Sequence, residues 1–298
     1  MLPEKNSHTF LPLKPTTGSV NLTGCLAELG HRTLIMGILN VTPDSFSDGG
    51  LFINESSALE QAYKMIGDGV DIIDIGGEST RPGSDSVPIE IELQRVLPVI
   101  EKLAKTTKIC ISIDTYKSAV AKKTLETGAC IVNDISALSD PNMASVVSEA
   151  GVPIVLMHKK GTPKDMQIAP HYNSLITDIN EFLRERIRVA VDSGISSERI
   201  IIDPGVGFGK TTAHNLEIIR NLREFKSLGK PILIGTSRKS FIGKILHADD
   251  ARDRVEGTAA TVAIAIANGA DIIRVHDVKE MVKVARMTDA IVRGIDVS

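Results

Sequence analysis

A short apolar run that follows a glycine recurs along this chain. Glycine ends a helix at low cost because it adopts the left-handed backbone conformation, and β-branched residues after it favour a strand. The repeated unit occurs as GVDIIDIG (69–76), TGACIVND (127–134), AGVPIVLMH (150–158), LGKPILIGT (228–236) and NGADIIRVH (268–276). Runs that are apolar at nearly every position are buried on both faces, which is typical of parallel sheets. The repeat therefore predicts an α/β fold built on buried parallel strands.

Eight runs of this kind are predicted strands: Leu34–Leu39, Asp71–Ile75, Ile109–Ile113, Ala129–Val132, Pro153–Met157, Ile200–Ile202, Pro231–Ile234 and Asp271–Val275. Apolar residues at helical spacing lie between most of them, so strands and helices alternate, and right-handed crossovers join parallel neighbours. Eight such repeats close a (β/α)8 TIM barrel. An open doubly wound sheet is the alternative, but no glycine-rich dinucleotide-binding turn follows the first strand.

Three details of the helical segments can be predicted as well. Residues 176–191 and 215–228 each have the periodicity of one helix, and Asn54 or Ser56 is placed to cap the first helix. Pro98 interrupts an otherwise helical segment. Because proline lacks the backbone N–H that a helix interior needs, it predicts a break between two helices.

The chain divides into two parts of unequal size. Residues 1–33 have Pro, Thr and Gly around short apolar pieces and predict a small hairpin or lid. Residues 34–298 contain all the predicted strands and therefore form one barrel domain. A chain of 298 residues with 42% apolar content can bury a core of that size.

Charge and hydropathy exclude several classes of partner. A formal net charge of -3 gives no reason to expect nucleic acid, whose phosphates call for a basic surface. The first residues, MLPEKNSHTF, lack an apolar stretch of export length, and no later apolar run reaches membrane-spanning length. The sequence therefore predicts a cytoplasmic protein with no nucleic-acid or membrane partner.

Polar residues follow almost every predicted strand at its carboxyl end. In a parallel barrel these ends meet on one rim, which holds the active site in characterised barrels. The predicted rim consists of Asn40, residues 77–84, Asp114, Asn133 with Asp134, His158, Asp203, residues 237–239 and Arg274 with His276. Loops are polar in any protein, but ISIDTY and IVNDIS place a polar group directly within an apolar run.

The rim residues fall into two chemical sets. Positive charge and hydrogen-bond donors come from Arg274, His276, Arg81, Thr80, Ser79 and Asn40. This set suits a phosphate or pyrophosphate, to which arginine forms bidentate bonds. Acceptors or mixed groups come from Asp114, Asn133 and Asp203, and they suit a flat heterocycle with N–H edges. The sequence thus predicts a site with an anion on one side and a neutral ring on the other.

The glycine-rich stretch DPGVGFGKT (203–211) ends like a nucleotide-binding P-loop, but Pro204 stands where the first glycine of that motif belongs. It predicts instead a tight barrel loop that brings Asp203 and Phe208 to the site. Phe208 either stacks on a ligand ring or fills a gap in the packing. Lys239, just beyond the seventh strand, is either a rim residue of the site or an ordinary surface lysine.

Several of these stretches together resemble the dihydropteroate synthase family of folate biosynthesis. They are GILNVTPDSFSDGG, DIGGESTRPGS, ISIDTYKS, VNDIS, VLMHKKGTPKDMQ, IIDPGVGFGKT, GTSRKSFIG and RVEGTAA followed by RVHDV. The resemblance extends in order over nearly all of residues 34–276. It implies a barrel enzyme that condenses 6-hydroxymethyl-7,8-dihydropterin diphosphate with p-aminobenzoate, giving 7,8-dihydropteroate and pyrophosphate. It also implies a homodimer.

The resemblance further implies a place for each substrate. The pterin pocket corresponds to Asp114, Asn133, Asp203 and Lys239, with Met157 and Phe208 lining the ring. The p-aminobenzoate pocket corresponds to Phe46, Thr80, Pro82, Ser237 and Lys239, partly in two mobile loops. In this family pyrophosphate departs before the amine attacks, and Asp44 is expected to face the pterin-methyl cation that is left.

The diphosphate site that the resemblance implies corresponds to Asn40, Arg274 and His276, with Mg²⁺ held by Asn40 and the diphosphate oxygens. Magnesium prefers oxygen ligands and usually keeps several waters, so this arrangement is chemically sound. The metal and the cations would stabilise the departing pyrophosphate. The predicted catalytic residues are therefore Asp44, Lys239, Arg274 and His276.

Three other functions fit parts of the sequence. A methyltransferase barrel that uses methyltetrahydrofolate would need the same pterin acceptors but no diphosphate site. A non-catalytic pterin-binding relative would be expected to lack Asp44, Phe46, Arg81 or Lys239, and all are present. A phosphosugar barrel would explain Arg274 but not the acceptor set.

Overall fold

The computed structural model describes residues 26–42, 51–79, 84–161, 166 and 170–294, with the backbone alone for 51–54. Its parallel strands are β1 (Leu34–Asn40), β2 (Ile72–Gly76), β3 (Cys110–Asp114), β4 (Ile131–Asp134), β5 (Ile154–Met157), β6 (Ile200–Asp203), β7 (Leu233–Ile234) and β8 (Ile272–Val275). They form one sheet in the order β6-β5-β4-β3-β2-β1-β8-β7. Apart from β1 and β8, neighbours in this order are successive strands of the chain, as short crossovers require.

The two ends of that order, β6 and β7, meet and close the sheet. The backbone N–H of Ile202 donates to the carbonyl of Pro231 at 3.0 Å, and Ile202 pairs in parallel with Ile232. The regular part of β7 is two residues long, so this seam has fewer strand contacts than the other ladders. The predicted TIM barrel is confirmed.

Alternate strand residues face the barrel interior or the surrounding helices. The interior set forms one apolar cluster: Leu34, Met36, Ile72, Cys110, Ile131, Val155, Ile201, Leu233 and Ile272. The outward set, which includes Ile73 and Ile113, belongs to a second cluster shared with the helices. Burial on both faces explains why each strand is an almost continuous apolar run in the sequence.

The helices are α1 (Leu51–Gly67), α2 (Ile89–Thr106), α3 (Ser118–Thr127), α4 (Met143–Ala150), α5 (Leu175–Asp192), α6 (Thr212–Arg220), α7 (Ser240–Leu246), α8 (Val255–Ala267) and α9 (Val278–Arg293). The prediction for 176–191 is confirmed by α5. The prediction of one helix over 215–228 is wrong, because α6 ends at Arg220 and a 3₁₀ helix, Leu222–Leu228, follows it. The prediction that Asn54 or Ser56 is the N-cap is wrong, because both positions lie inside α1, which begins at Leu51.

The predicted break at Pro98 is also wrong, because α2 continues through it. Proline inside a helix costs about 3 kcal/mol or more. The buried face of α2 offsets that cost: Val96, Val99, Ile100 and Leu103 are all fully buried against the barrel. The packing of the buried face of α2 therefore outweighs the local preference of Pro98 against a helix interior.

Of the predicted N-terminal hairpin or lid, residues 1–25 lie outside the described residues. The turn that follows packs Leu26 into the interior cluster of the barrel, where it is 3% exposed. None of the helices in the described part of the chain is both long and apolar enough to span a membrane.

Candidate active site

Asn40, Gly76, Asp114 and Asn133 lie side by side at the carboxyl ends of β1 to β4. They are consecutive register partners: Asn40 with Gly76, Gly76 with Asp114, and Asp114 with Asn133. Gly76 has no side chain, and a Cβ there would lie 3.7 Å from Asn40 Oδ1 and 3.6 Å from the Cβ of Asp114. The strand register alone thus brings three predicted site residues together at the barrel mouth.

Arg274 reaches this group from β8. Its Nε–H donates to Asp74 Oδ2 at 2.6 Å, and its Nη2–H donates to Asp114 Oδ2 at 2.6 Å. Asn133 Nδ2 donates to the same Asp74 oxygen at 3.0 Å. Asp74 lies in the middle of β2, is fully buried and was not predicted as a site residue. The feature that could have identified it is a charged residue inside an apolar strand.

Charges and burial compete in this network. Burial opposes the charge of Arg274, but Asp74 and Asp114 raise the pKa of its guanidinium above the usual value. Burial raises the pKa of Asp114 to about 7, although Arg274 acts to lower it. The Oδ1 atoms of Asp74 and Asp114 are buried and accept no hydrogen bond from the described residues. Buried carboxylate oxygens normally have a partner, so Asp114 Oδ1 is suited to accept a ligand N–H.

The opposite side of the mouth is formed by Asp203, Phe208 and Lys239. Asp203 ends β6, where Met157 is its register partner, and its Oδ1 accepts the Gly205 N–H at 2.7 Å. Burial raises the pKa of Asp203. Lys239 Nζ lies 4.3 Å from the centroid of the Phe208 ring, a cation–π distance. Burial, followed by the charge of Arg274, lowers the pKa of Lys239 to about 8.

The loop between β6 and α6 is pressed against the end of β5. Gly205 has a φ of 70°, and a Cβ there would lie 1.8 Å from the carbonyl oxygen of His158. Lys210 is buried, and its Nζ lies 3.0 Å from both His158 Nδ1 and the Phe208 carbonyl. Burial lowers the pKa of Lys210 to about 7. Lys210, the lysine of the P-loop-like stretch, therefore directs its amine into the fold, where it supports the loop.

Ser237 and His276 form a pair beside Arg274. Ser237 Oγ accepts the His276 backbone N–H at 3.1 Å and lies 3.0 Å from His276 Nδ1. Burial, then the charges of Arg238 and Arg274, lower the pKa of His276 to about 3. The lowered pKa favours the neutral imidazole, in which one ring nitrogen is a donor and the other an acceptor, so the hydrogen bond between Nδ1 and Ser237 Oγ has either direction. Without a bound anion, burial therefore disfavours the positive charge predicted for His276.

Five predicted site residues lie outside the described residues: Asp44, Phe46, Thr80, Arg81 and Pro82. The segment before the last three is held by Lys117, whose Nζ donates to Glu78 Oε2, Glu92 Oε2 and the Val87 carbonyl, each at 2.6 Å. These contacts tie the end of β2 to the start of α2. The roles of all predicted site residues remain predictions.

Comparison with known proteins identifies the family. Residues 36–276 match the family described as pterin binding enzyme. The chain belongs to this family. A dihydropteroate synthase of Bacillus subtilis (strain 168) is 50% identical over 261 residues, or 87% of this chain and 89% of that protein. The resemblance to dihydropteroate synthases is thereby confirmed.

Solved structures of the same enzyme share the fold. A dihydropteroate synthase from Clostridium difficile, in the presence of pteroic acid, is 49% identical with a TM-score of 0.85, covering 89% of this chain and 99% of that one. One from Xanthomonas albilineans, with 4-aminobenzoic acid, is 43% identical with a TM-score of 0.83, covering 87% and 93%.

Proposed function

We propose that this chain is a dihydropteroate synthase, which condenses 6-hydroxymethyl-7,8-dihydropterin diphosphate with p-aminobenzoate to give 7,8-dihydropteroate and pyrophosphate. One observation carries the proposal: the mouth of a single barrel holds both a set of buried acceptors and an arginine. Asp114 and Asp203 flank it on opposite sides, and Arg274 enters between them. The pteroic acid in one related structure is the oxidised form of the product of this reaction, and the 4-aminobenzoic acid in another is its second substrate.

The acceptor set would bind the pterin. A carboxylate accepts two parallel hydrogen bonds from an amino group and the adjacent ring N–H, so Asp203 would select that edge. Asp114 Oδ1 and the Asn133 amide would bind the remaining polar edge. Phe208 and Met157 would line the faces of the ring, and Lys239 would lie next to both substrates.

The donor set would bind the diphosphate. Arg274 would use both N–H groups of Nη1 and the second N–H of Nη2, and His276 would present its Nε2 side. Among the described residues no three His, Cys, Asp or Glu side chains form a metal site, so the other oxygens around Mg²⁺ would come from the diphosphate and water. Asn40 Oδ1, beside Asp114, fits this metal as its one side-chain oxygen. When bound, Mg²⁺ would neutralise charge on the leaving group.

The chemistry proceeds by substitution at the pterin methylene carbon. Its C–O bond breaks, the electron pair leaves with pyrophosphate, and the aniline nitrogen then forms a C–N bond and loses a proton. Asp44 would stabilise the cationic carbon between the two steps. Closure of the loops that carry Phe46, Thr80, Arg81 and Pro82 would exclude water, which otherwise would capture the cation.

The test is pyrophosphate release and dihydropteroate formation by the purified protein with the dihydropterin diphosphate and Mg²⁺, with and without p-aminobenzoate. Product formation that needs both substrates supports the synthase. Pterin binding without dihydropteroate would favour a non-catalytic pterin-binding protein. Methyl transfer from methyltetrahydrofolate to a corrinoid protein would favour the methyltransferase.

We also propose that the enzyme works as a cytoplasmic homodimer. Exposed large apolar side chains are frequent on its last three helices: Ile245, Leu246, Ile264, Met287 and Ile291. These three helices are neighbours in the fold, and exposed apolar side chains that form one patch favour a subunit interface. Sedimentation of the purified protein measures its mass, and a monomer at all concentrations would contradict the dimer.

A further inference from the structure

Asp74 has no role in the substrate sites described above, although it lies in the wall of the barrel mouth. It is in the middle of β2, between Ile73 and Ile75, with no exposed surface. A carboxylate in such surroundings is costly unless other groups compensate its charge. Nothing in the packing of β2 requires an acid there, because an apolar residue would suit a strand that is buried on both faces.

The contacts of Asp74 explain why an acid is present. Its Oδ2 accepts from Arg274 Nε–H at 2.6 Å and from Asn133 Nδ2–H at 3.0 Å. The two donors come from β8 and β4, on either side of β2 in the barrel. One oxygen atom therefore connects a residue proposed to bind the diphosphate with a residue proposed to bind the pterin.

These contacts also fix what the two donors present to a ligand. Arg274 is held at two points, by Asp74 at Nε and by Asp114 at Nη2, which sets the plane of the guanidinium and leaves both N–H groups of Nη1 and the second N–H of Nη2 for a ligand. Because the Asn133 nitrogen is held by Asp74, its oxygen occupies the other side of the amide. Without Asp74 the Asn133 amide would lose this partner, and the Arg274 guanidinium would be held by Asp114 at Nη2 without the second contact at Nε.

We propose that Asp74 is a positioning residue for the condensation, which aims the Arg274 guanidinium at the diphosphate and the Asn133 amide at the pterin. The inference rests on the proposed function. Asp74 need not touch a substrate, because its effect is transmitted through the other two side chains. A misplacement of about 1 Å in a positioned group can lower a rate by roughly a hundredfold.

The experiment compares Asp74→Ala and Asp74→Asn with matched changes at Asp71, measuring kinetics, pterin affinity and thermal stability of the full-length protein. Asp71 lies three residues earlier and accepts from Arg32 at 2.7 and 2.9 Å and from the Ile35 N–H at 2.8 Å. It precedes β2 at the opposite end of the barrel. Asp71 variants should therefore lose stability but keep the kinetic constants of the folded wild type.

We expect Asp74→Ala to lower kcat by roughly a hundredfold and to weaken binding of the pterin alcohol, which lacks the diphosphate, by roughly tenfold. The loss in kcat should exceed the loss in pterin affinity, since kcat also depends on the orientation of the Arg274 guanidinium toward the diphosphate. Asp74→Asn keeps one acceptor oxygen and should fall between Asp74→Ala and the wild type. Folded Asp74 variants with wild-type kinetics and affinity would overturn the inference.

Arg274→Lys tests the same contact from the other partner. Lysine keeps the positive charge but cannot bond to Asp74 and Asp114 from two fixed nitrogens. We expect it to lose nearly as much kcat as Arg274→Ala, and near-wild-type turnover by Arg274→Lys would overturn the inference even if the Asp74 variants do not fold.

The same assays separate the inference from the proposed function. A wild type that binds the pterin but forms no dihydropteroate would overturn the synthase alone, and Asp74 would then be judged by pterin affinity. A wild type that does neither would overturn both.

Discussion

At the scale of single residues, the charge of the barrel mouth depends on pH, because burial shifts the pKa values of its charged groups. Its carboxylates and cations are Asp74, Asp114, Asp203, Lys210, Lys239 and Arg274. Burial disfavours each charge, and neighbours of opposite sign restore it. Arg274 keeps its charge at ordinary pH, because Asp74 and Asp114 raise the pKa of its guanidinium.

This balance predicts a bell-shaped dependence of kcat/KM on pH. Asp114, with a pKa of about 7, gains a proton at lower pH and can no longer accept at both oxygens. Lys239, with a pKa of about 8 among Arg274, Asp203 and Asp114, loses its charge at higher pH. Activity should therefore fall below about pH 7 and above about pH 8.

Two variants test which residue causes the acid limb and which causes the alkaline limb of that pH profile. Asp114→Asn should remove the acid limb, because an amide does not titrate, at the cost of lower activity throughout. Lys239→Arg should move the alkaline limb to higher pH, because a guanidinium keeps its proton. A wild-type profile that is flat through both values would contradict the prediction.

Asp203 gives a second prediction at this scale. Asp203→Ala should weaken pterin binding by about 2–3 kcal/mol, the loss of hydrogen bonds to a charged acceptor. Isothermal titration with the pterin alcohol measures it directly. Arg274→Ala should mainly weaken binding of the diphosphate ester and lower turnover. Wild-type affinity for the pterin in Asp203→Ala would show that the ring edge binds elsewhere.

The residues that sequence reasoning missed depend on distant partners. Asp114, Asn133 and Asp203 could be found because each ends an apolar strand. Asp74 stands out as a charged residue inside an apolar strand, but its role depends on Arg274, 200 positions later in the chain. Lys210 was read with a glycine-rich motif, yet its amine is directed to His158, 52 positions earlier. Contacts between residues so far apart in the chain cannot be inferred from the local sequence around either one.

At the scale of elements, the sequence was most reliable where burial is strongest. All eight strands occur where apolar runs predict them, within two residues. At β3, β4 and β6 the strand extends beyond its predicted carboxyl end, and the cause is the same in all three. The added residues are polar: Asp114, Asn133 with Asp134, and Asp203. The backbone of a strand continues its hydrogen bonds although the side chain has become polar, so polarity ended the predicted strands too early. Pro98 shows the converse, since the burial of α2 overrides a local helix breaker.

The β6–α6 loop supplies a prediction for an element. Gly205→Ala should weaken pterin binding, because a Cβ 1.8 Å from the His158 carbonyl oxygen forces the backbone that carries Asp203 and Phe208 to move. Gly229→Ala is the matched control, with a φ of 65° and nothing within 4 Å of the added Cβ.

Both substitutions place alanine in the left-handed conformation, which costs roughly 1–2 kcal/mol of stability. Only Gly205→Ala adds a clash next to the site. Melting temperature and pterin affinity, measured on both proteins, separate strain from displacement of the loop. Equal affinities in the two variants would mean that the loop does not position the pterin pocket.

At the scale of the whole molecule, the barrel has one weak seam. The ladder between β6 and β7 is a single bridge, Ile202 with Ile232, whereas β1 and β2 pair over five residues. The segment before β7 is held instead by Asp271, whose Oδ2 accepts the Ile232 N–H at 2.7 Å and Lys226 Nζ at 2.5 Å. A side chain directly before β8 therefore fixes the position of Ile232, the residue that pairs with β6, and we expect closure of the seam to depend on it.

Asp271→Ala should lower the free energy of unfolding by about 2–3 kcal/mol, because two hydrogen bonds to one partly buried carboxylate are lost. The partial exposure of Lys226 limits the share of the ion pair itself. Asp271→Asn keeps an acceptor for Ile232 and should lose less. Urea unfolding measures both, and hydrogen exchange locates the effect: the Ile202 amide, at the seam, should exchange faster in Asp271→Ala, while that of Ile73, inside the β1–β2–β3 sheet, follows global unfolding. Equal acceleration at the two amides would mean that the barrel opens as one unit, with no weak seam between β6 and β7.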